Sequence, residues 1–261
     1  MTDPSLVLVE KRADGVARVT LNRPDKLNAL NAELRRVLME TFDALESDDA
    51  VKVVVVHGAG DKAFVAGADI TEFAARTPEE QRAVYQRRRI YETVAEFPKP
   101  VIAAVHGFCI GGGSELALAC DVRVADSTAR FSQAEVRIGL IPGGGGTQRL
   151  ARLVGRGHAM LISCTGDFVE ADEAYRIGLV DVLTEEGRHL ERALELGGRM
   201  ARWSVVSLRL AKRAVNAAFE MPMSEGLRHE MELFLTAFAS DDGREGVRAF
   251  VEKRRPEFKG R

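Results

Sequence analysis

The sequence is poor in cysteine, in aromatic side chains and in long hydrophobic runs, and neither sign of charge dominates. Of its 261 residues only 3 are cysteines, and 6% are aromatic. Because the cysteine number is odd and no CxxC pair occurs, we expect free thiols in a reducing compartment rather than disulfides or a metal site. The 37 basic and 39 acidic side chains leave a net charge of −2, which gives no general electrostatic reason to bind nucleic acid or an anionic membrane.

The hydrophobic stretches are too short to cross a bilayer. The longest apolar stretch, residues 100–113, is interrupted by His106 and by several glycines. The first residues show no basic region followed by an apolar run, so no signal peptide is predicted. These features predict a cytoplasmic protein, and its length fits one large core with or without a smaller appendage.

Short apolar runs alternate with amphipathic segments along the first three quarters of the chain. The pattern predicts a hairpin around Asp14-Gly15, a helix capped by Asn31 and a single helix over residues 79–96. Short strands are predicted at residues 53–56, 101–105, 122–125 and 180–183. Such alternation is typical of an α/β core.

The pattern becomes entirely helical after about residue 186. Ser224 is expected to cap a helix with an apolar seam of Leu227, Met231, Phe234 and Phe238. A seam of this kind must pack on the core or on another subunit. We therefore divide the chain into a core of residues 1–200 and a helical C-terminal region of residues 201–261.

Two glycine-containing segments follow predicted strands. Residues 63–70 follow the strand at 53–56, and residues 111–115 follow the strand at 101–105 and open a helix. Glycine lets the backbone approach a ligand closely, and the free N–H groups of a helix start favour negative charge. Two converging amides would form an oxyanion hole. The alternative is that these glycines only make tight turns and close packing.

Two glutamates lie near these segments in sequence. Glu115 falls in the first turn of the helix that the glycines open, and Glu135 precedes the glycine-rich turn at residues 141–147. Near one oxyanion hole, they would serve as acid and base at a carbon next to a carbonyl. Spacing alone does not bring them together, and each glutamate also fits a lesser role, at a helix dipole or on the surface.

Other common site motifs are absent or incomplete. The stretch 58–63 matches GxGxxA, but no plausible helix follows it, and no GxxxxGK[ST] occurs. The five histidines are scattered without an HExxH pattern, so no metal site is predicted.

Six segments together closely resemble the crotonase (enoyl-CoA hydratase/isomerase) superfamily, in family order and spacing. They are residues 22–30 (NRPDKLNAL), 63–70 (AFVAGADI), 99–107 (KPVIAAVHG), 111–117 (GGGSELA), 131–139 (FSQAEVRIG) and 141–149 (IPGGGGTQR). The resemblance implies a spiral core of repeated ββα units, followed by a helical C-terminal region that mediates trimerisation. It also implies a homotrimer or a dimer of trimers.

The resemblance assigns an activity and a site. It implies reversible hydration of 2-trans-enoyl-CoA thioesters to 3-hydroxyacyl-CoA, with Ala68 and Gly112 as the oxyanion-hole amides. Glu115 would activate the water toward C3, and Glu135 would protonate C2. The residues implied in binding the acyl-CoA are Lys26, Ala66, Gly67, Ala68, Asp69, Ile70, Gly112, Gly143, Phe258 and Lys259. Asp69 also suits a cap for a helix beginning at Ile70.

Other activities of the same superfamily remain open at this stage. They are a hydratase for branched 3-methylglutaconyl-type substrates and a Δ3,Δ2-enoyl-CoA isomerase, although Glu115 favours hydration. A related hydratase also binds RNA, but two short basic runs and the balanced charge do not favour that role here. The 2-trans-enoyl-CoA hydratase implied by the resemblance is expected to need no metal and no redox cofactor, and coenzyme A enters as part of the substrate.

Overall fold

The computed structural model describes residues 6–74 and 76–261. Its strands are β1 (Val7–Lys11), β2 (Val16–Leu21), β3 (Val53–Gly58), β4 (Ala63–Val65), β5 (Val101–Val105), β6 (Phe108–Ile110), β7 (Val122–Asp126), β8 (Arg130–Ser132), β9 (Val169–Glu170) and β10 (Val182–Thr184). Its α-helices are α1 (Ala32–Glu46), α2 (Thr71–Ala74), α3 (Pro78–Tyr85), α4 (Ile90–Ala95), α5 (Gly112–Ala119), α6 (Gly146–Thr165), α7 (Ala171–Arg176), α8 (His189–Ala201), α9 (Val205–Ala217), α10 (Met223–Ala239) and α11 (Asp241–Val251). The 3-10 helices are Pro24–Lys26 and Ala134–Ile138.

A six-stranded sheet with the order β1-β2-β3-β5-β7-β10 forms the centre of the core. The hairpin strands β1 and β2 are antiparallel, and the other neighbours are parallel. Side chains on one face of the sheet pack with α1, α4 and α5, and those on the other face pack against α8. Burial on both faces explains the unbroken valine run of β3.

A second, four-stranded sheet with the order β4-β6-β8-β9 lies beside the first. Strands β4, β6 and β8 are parallel to one another. Because the carboxyl ends of parallel strands meet at one edge of a sheet, the segments that follow these three strands converge. Ligands bind at such an edge in many α/β proteins.

The predicted α/β class and the helical C-terminal region are confirmed. The Asn31 cap is also confirmed, since its side chain accepts a hydrogen bond from the Leu34 amide at 2.9 Å. The glycines at 112 and 113 are themselves the first turn of α5. The two buried cysteines, Cys109 and Cys120, carry free thiols, and Cys164 is a free thiol at the surface.

Three local predictions are wrong. The single helix over 79–96 is two helices, α3 and α4, because Arg89 takes an extended conformation (φ −118°, ψ 163°) immediately before α4. Ser224 does not cap a helix; it lies inside α10, which begins at Met223 after Pro222. The strand expected at 180–183 is shifted to Val182–Thr184, where it pairs with β7.

Helix α8 packs against the main sheet, whereas α10 packs against α9 and α11. Helix α9 is tied to the core by Lys212, whose ammonium donates to the Asp121 carboxylate at 2.8 Å. The division of the chain near residue 200 stays a prediction. Across residues 6–74 and 76–261, no helix combines the length and the apolar character that crossing a bilayer requires.

Candidate active site

The three segments that follow β4, β6 and β8 form the walls of the candidate site. The segment after β4 is held against residues 27–30 by backbone hydrogen bonds, among them Leu30 N–H to Gly67 O at 2.8 Å and Asp69 N–H to Leu30 O at 3.0 Å. The segment after β6 is fixed to the end of β8, because Gly111 N–H donates to Ser132 O at 2.8 Å. Residues distant in sequence are thereby brought to one edge of the second sheet.

The amides of Ala68 and Gly112 lie close together. A Cβ atom placed on Gly112 would be only 3.4 Å from the Ala68 nitrogen and 2.8 Å from the Tyr91 hydroxyl. Among the described residues, neither amide donates a hydrogen bond to another backbone group, so both N–H groups are available to a ligand oxygen. Gly112 is the first residue of α5, where the helix dipole also favours negative charge.

Glu115 lies on α5, one turn after these glycines, and is only 3% exposed. Its Oε1 accepts two backbone hydrogen bonds from the glycine-rich turn, from Gly144 N–H at 2.6 Å and from Gly146 N–H at 2.9 Å. Burial raises the pKa of Glu115 above its usual value, and these two hydrogen bonds oppose the rise. The arrangement leaves Oε2, the other oxygen, beside Tyr91 and Gly144.

Glu135 approaches the same site from the 3-10 helix Ala134–Ile138. A Cβ atom on Gly111 would lie 2.7 Å from Glu135 Oε1, so the carboxyl group rests on the backbone just before α5. Its Oε2 is buried and has no hydrogen-bond partner in the described part of the chain. Burial raises the pKa of Glu135 to about 7, and the negative charge of Glu115 contributes to the rise. The two carboxyl groups therefore interact electrostatically.

Two side chains at this site, Tyr91 and Arg89, were not assigned a role from the sequence. Tyr91 lies between the start of α5 and the glycine-rich turn, since Cβ atoms on Gly112 and Gly144 would lie 2.8 Å from its hydroxyl and 2.4 Å from its ring, respectively. Arg89 donates from Nη1 to Gly143 O at 2.7 Å, and its guanidinium carbon lies 4.8 Å from the centre of the Tyr85 ring. In the sequence, Tyr91 is one apolar position of a helix face and Arg89 is one of three consecutive arginines, so neither gives a functional signal.

The residues predicted at the coenzyme A edge surround the segment after β4. Lys26 is exposed at the end of its 3-10 helix. Leu27, which follows it, is joined to the segment after β4, because its carbonyl oxygen accepts a hydrogen bond from Ala66 N–H at 3.0 Å. Gly67 has a φ of 111°, which glycine adopts without strain. Asp69 accepts a hydrogen bond from the Thr71 hydroxyl at 2.7 Å, and α2 begins at Thr71 rather than at Ile70, which is 50% exposed.

Asn28 is a buried residue that supports this edge. Its side-chain amide donates to Ala59 O and to Ala63 O, both at 2.9 Å, and its Oδ1 accepts from Arg23 N–H at 2.9 Å. These bonds join the loop at residues 22–30 to both ends of the β3–β4 connection. The motif that contains Asn28 was singled out from the sequence, but this supporting role was not.

Phe258 and Lys259 follow α11 in the chain and fold back against that helix, not among the residues around Glu115. The Phe258 ring is 3.4 Å from the position of a Cβ atom on Gly246, and the Lys259 amide donates to Asp242 Oδ1 at 2.6 Å. Gly143 is at the site, where a Cβ atom would overlap the Tyr85 hydroxyl at 2.0 Å. Within the described residues, no group of three or more His, Cys, Asp or Glu side chains is arranged to hold a metal ion.

Comparisons with known proteins match almost the whole chain. Residues 11–261 match the family described as enoyl-CoA hydratase/isomerase. A short-chain-enoyl-CoA hydratase of Clostridium acetobutylicum is 41% identical over 257 residues, which cover 98% of each protein. A crotonyl-CoA hydratase of Syntrophomonas wolfei is 40% identical over 255 residues, which cover 97% of each.

The fold is also that of solved relatives. The crystal structure of an enoyl-CoA hydratase from Bacillus anthracis superposes with a TM-score of 0.93 at 37% identity, covering 98% of this chain and 100% of the other. The crotonase-like fold expected from the sequence is therefore confirmed.

Proposed function

The chain belongs to the enoyl-CoA hydratase/isomerase family, and we propose that it adds water reversibly across the C2=C3 double bond of 2-trans-enoyl-CoA thioesters. The observation that carries the proposal is that two glutamates, Glu115 and Glu135, face one site beside two available backbone amides. An isomerase that only moves a proton between carbons needs one such acid, whereas addition of water uses both. The 3-hydroxyacyl-CoA is the product.

In this mechanism, the N–H groups of Ala68 and Gly112 bind the thioester oxygen. As the water oxygen bonds to C3, the π electrons move toward the carbonyl and an enolate forms, so negative charge grows on the oxygen that the two amides hold. Donors fixed in place before the reaction stabilise that charge more than they stabilise the substrate, and each contributes about 3–4 kcal/mol in comparable sites.

The two glutamates exchange protons with water and substrate. Glu115, held as a hydrogen-bond acceptor by Gly144 and Gly146, takes a proton from the attacking water. Glu135 is protonated below a pKa of about 7 and gives its proton to C2, which collapses the enolate to the 3-hydroxyacyl thioester. One proton is taken and one is given, so a shift of the water-derived proton from Glu115 to Glu135 restores the enzyme.

The same proposal covers binding and assembly. Lys26 and residues 66–70 form the coenzyme A edge, and Gly143 lies beside the reacting carbons. Phe258 and Lys259 reach coenzyme A from a neighbouring subunit in a homotrimer or a dimer of trimers. The reaction uses carboxylates and amides of the protein and calls for no cofactor, and the enzyme works in the cytoplasm on small acyl-CoA molecules.

The first test is the loss of conjugated-thioester absorbance when purified protein is added to crotonyl-CoA. Glu115→Gln and Glu135→Gln are each expected to lower turnover by about 10²–10⁴-fold, because each removes a general acid or base. The affinity for coenzyme A should change far less. Glu186→Gln, at an exposed position, is the matched control and should keep full activity. Full hydratase activity in both site variants would contradict the assignment.

A substrate panel separates the alternatives within the family. Faster hydration of a 3-methylglutaconyl thioester than of crotonyl-CoA would assign the branched-chain activity. Conversion of a 3-enoyl to a 2-enoyl thioester, without hydration of either, would instead assign the isomerase activity.

A further inference from the structure

One peptide group in the glycine-rich turn is held at both ends by charged side chains. The carbonyl oxygen of Gly143 accepts a hydrogen bond from Arg89 Nη1 at 2.7 Å. The N–H of Gly144, which belongs to the same peptide group, donates to Glu115 Oε1 at 2.6 Å. Arg89 and Glu115 are thus connected by two charge-assisted hydrogen bonds through a single peptide.

This peptide needs an external constraint. It joins two glycines in a run of four, and glycine populates both signs of φ readily, so rotation of the peptide plane meets little steric resistance. Rotation would turn the Gly144 N–H away from Glu115 and leave a buried carboxylate with one hydrogen bond fewer. The next carbonyl, that of Gly144, is fixed by Arg149 at 2.8 Å, but that bond holds the following peptide group.

Arg89 is itself held in place by its neighbours. Its Nε donates to Glu92 Oε2 at 3.0 Å, and its Nη2 pairs with the other carboxylate oxygen of Glu92. The guanidinium plane also lies over the Tyr85 ring. With two nitrogens committed to Glu92, Nη1 has a defined direction toward Gly143, which a flexible ammonium would not have.

We propose that Arg89 is a positioning residue for hydration, which fixes the Gly143–Gly144 peptide so that its N–H orients the Glu115 carboxylate toward the attacking water. The inference rests on the proposed function, since it assigns Glu115 as the group that receives the water proton. Arg89 makes no hydrogen bond to Glu115 or Glu135 among the described residues, so its control of the direction of the Glu115 carboxylate is transmitted by the turn.

The charged and titratable groups around Glu115 agree with this role. Burial raises the pKa of Glu115, and the N–H groups of Gly146 and Gly144 oppose the rise most, followed by the cations of Arg89 and Arg149. Tyr91 and Glu135 also face the carboxylate; burial raises the pKa of each of them, and the charge of Glu115 adds to both rises. Loss of Arg89 therefore removes both a nearby positive charge and the constraint on one amide donor, and both losses favour protonated Glu115.

The test compares Arg89→Met with Arg88→Met in the full-length protein. Arg88 is the adjacent arginine and pairs with Asp43 at the surface, at 2.6 Å and with half of its side chain exposed, so it controls for the loss of one cation. Arg89→Met is combined with Glu92→Gln in a second variant, which leaves no unpaired carboxylate on α4. Arg89→Lys tests whether a positive charge without the guanidinium geometry is sufficient to orient Glu115.

We expect both Arg89→Met variants to lose about 10–100-fold in kcat on crotonyl-CoA, the scale of a displaced catalytic group, with little change in KM. The acid limb of the pH profile, which is the fall in kcat/KM at low pH as Glu115 is protonated, should move to higher pH. Arg89→Lys should restore the acid limb in part and kcat to a lesser degree, and Arg88→Met should match the wild type. An acid limb unchanged in both Arg89→Met variants would overturn the proposal, as would an equal loss in Arg88→Met.

A second readout does not depend on hydration. The titration of Glu115 is followed by carbon-13 NMR of labelled glutamate and assigned by its loss in Glu115→Gln. If the wild type hydrates no enoyl-CoA, the proposed function fails, yet a higher titration midpoint in Arg89→Met still supports the link between Arg89 and Glu115. An unchanged midpoint contradicts that link whether or not the enzyme is active.

Discussion

Glu115 and Glu135 carry the same carboxyl group, but the protein surrounds each with different neighbours. Glu115 accepts two backbone hydrogen bonds, which stabilise its negative charge in a buried position. Glu135 has a buried oxygen without a partner in the described part of the chain, and the charge of Glu115 acts on it. A carboxyl group stabilised as an anion suits a base, and one kept protonated near neutral pH suits an acid.

This difference predicts a bell-shaped pH dependence of kcat/KM for hydration. As the pH rises through the Glu135 pKa of about 7, the proton that C2 needs is lost and activity falls. As the pH falls toward the pKa of Glu115, which burial raises above the usual value, the base is protonated and activity falls again. Because the carboxyl groups interact, the acid and alkaline limbs report apparent pKa values that belong to the pair rather than to either glutamate.

The assignment of the limbs is checked with the variants. Residual activity of Glu135→Gln should lack the alkaline limb, and residual activity of Glu115→Gln should lack the acid limb. The reverse result would exchange the roles of the two glutamates. A profile flat from pH 5 to 9 in the wild type would show that neither carboxyl group titrates during hydration.

At the scale of secondary-structure elements, the site depends on how closely the first turn of α5 packs on β4. A Cβ atom on Gly113 would lie 2.1 Å from the Val65 carbonyl oxygen, which is backbone and cannot rotate away. This close contact helps to place Gly112 next to Ala68, because Gly112 immediately precedes Gly113 and Ala68 lies three residues after Val65. The glycines at 112 and 113 thus allow the backbone that follows β4 and the backbone that follows β6 to approach each other closely at one site.

Gly113→Ala is therefore expected to destabilise the protein by about 1–3 kcal/mol, the usual cost of forcing an extra methyl group into a packed interior. It should also reduce hydration of crotonyl-CoA, since the two oxyanion amides separate. Gly157→Ala is the matched control on α6, where nothing lies within 4 Å of the added Cβ atom, and it should be neutral or slightly stabilising. Urea denaturation and the crotonyl-CoA assay measure both effects. Equal stability of the two variants would contradict the packing argument.

Elements whose formation depends on local pattern could be predicted from the sequence. The valines of β3 and the Asn31 cap of α1 are local signals, and both are found where they were expected. The break between α3 and α4 could not be predicted, because the cause is distant: Arg89 leaves the helical conformation while its side chain binds Gly143, more than fifty residues away.

The same distinction applies to the candidate site. The glycine segments and both glutamates were selected from sequence because their residue types carry chemistry and their order resembles a family. Tyr91 was not, because a tyrosine at helical spacing predicts core packing, and only the fold places its ring beside Gly144 and Glu115. Gly111, Gly112 and Glu135 likewise meet only because β6 and β8 are adjacent and parallel.

At the scale of the whole molecule, α10 presents an apolar face that residues 6–74 and 76–261 leave exposed. Leu227, Met231, Phe234 and Phe238 lie at helical spacing and are each between 52% and 63% exposed. Single exposed hydrophobic residues are ordinary, but four on one face mark a protein-binding surface. The proposed trimer accounts for this face, and it also accounts for Phe258 and Lys259, which follow α11 and pack against it rather than around Glu115.

We therefore expect the double substitution Phe234→Glu and Phe238→Glu to dissociate the assembly, because charges would be buried at the subunit contact. Light scattering of the protein as it elutes from a size-exclusion column should give the mass of three or six chains for the wild type and a smaller mass for the variant. The KM for crotonyl-CoA should rise, because the dissociated subunit no longer receives Lys259 from its neighbour. Glu232→Gln, a polar change at an exposed position of the same helix, should leave mass and KM unchanged. A monomeric wild type with full activity would contradict both the assembly and the contribution of Phe258 and Lys259 to a neighbouring site.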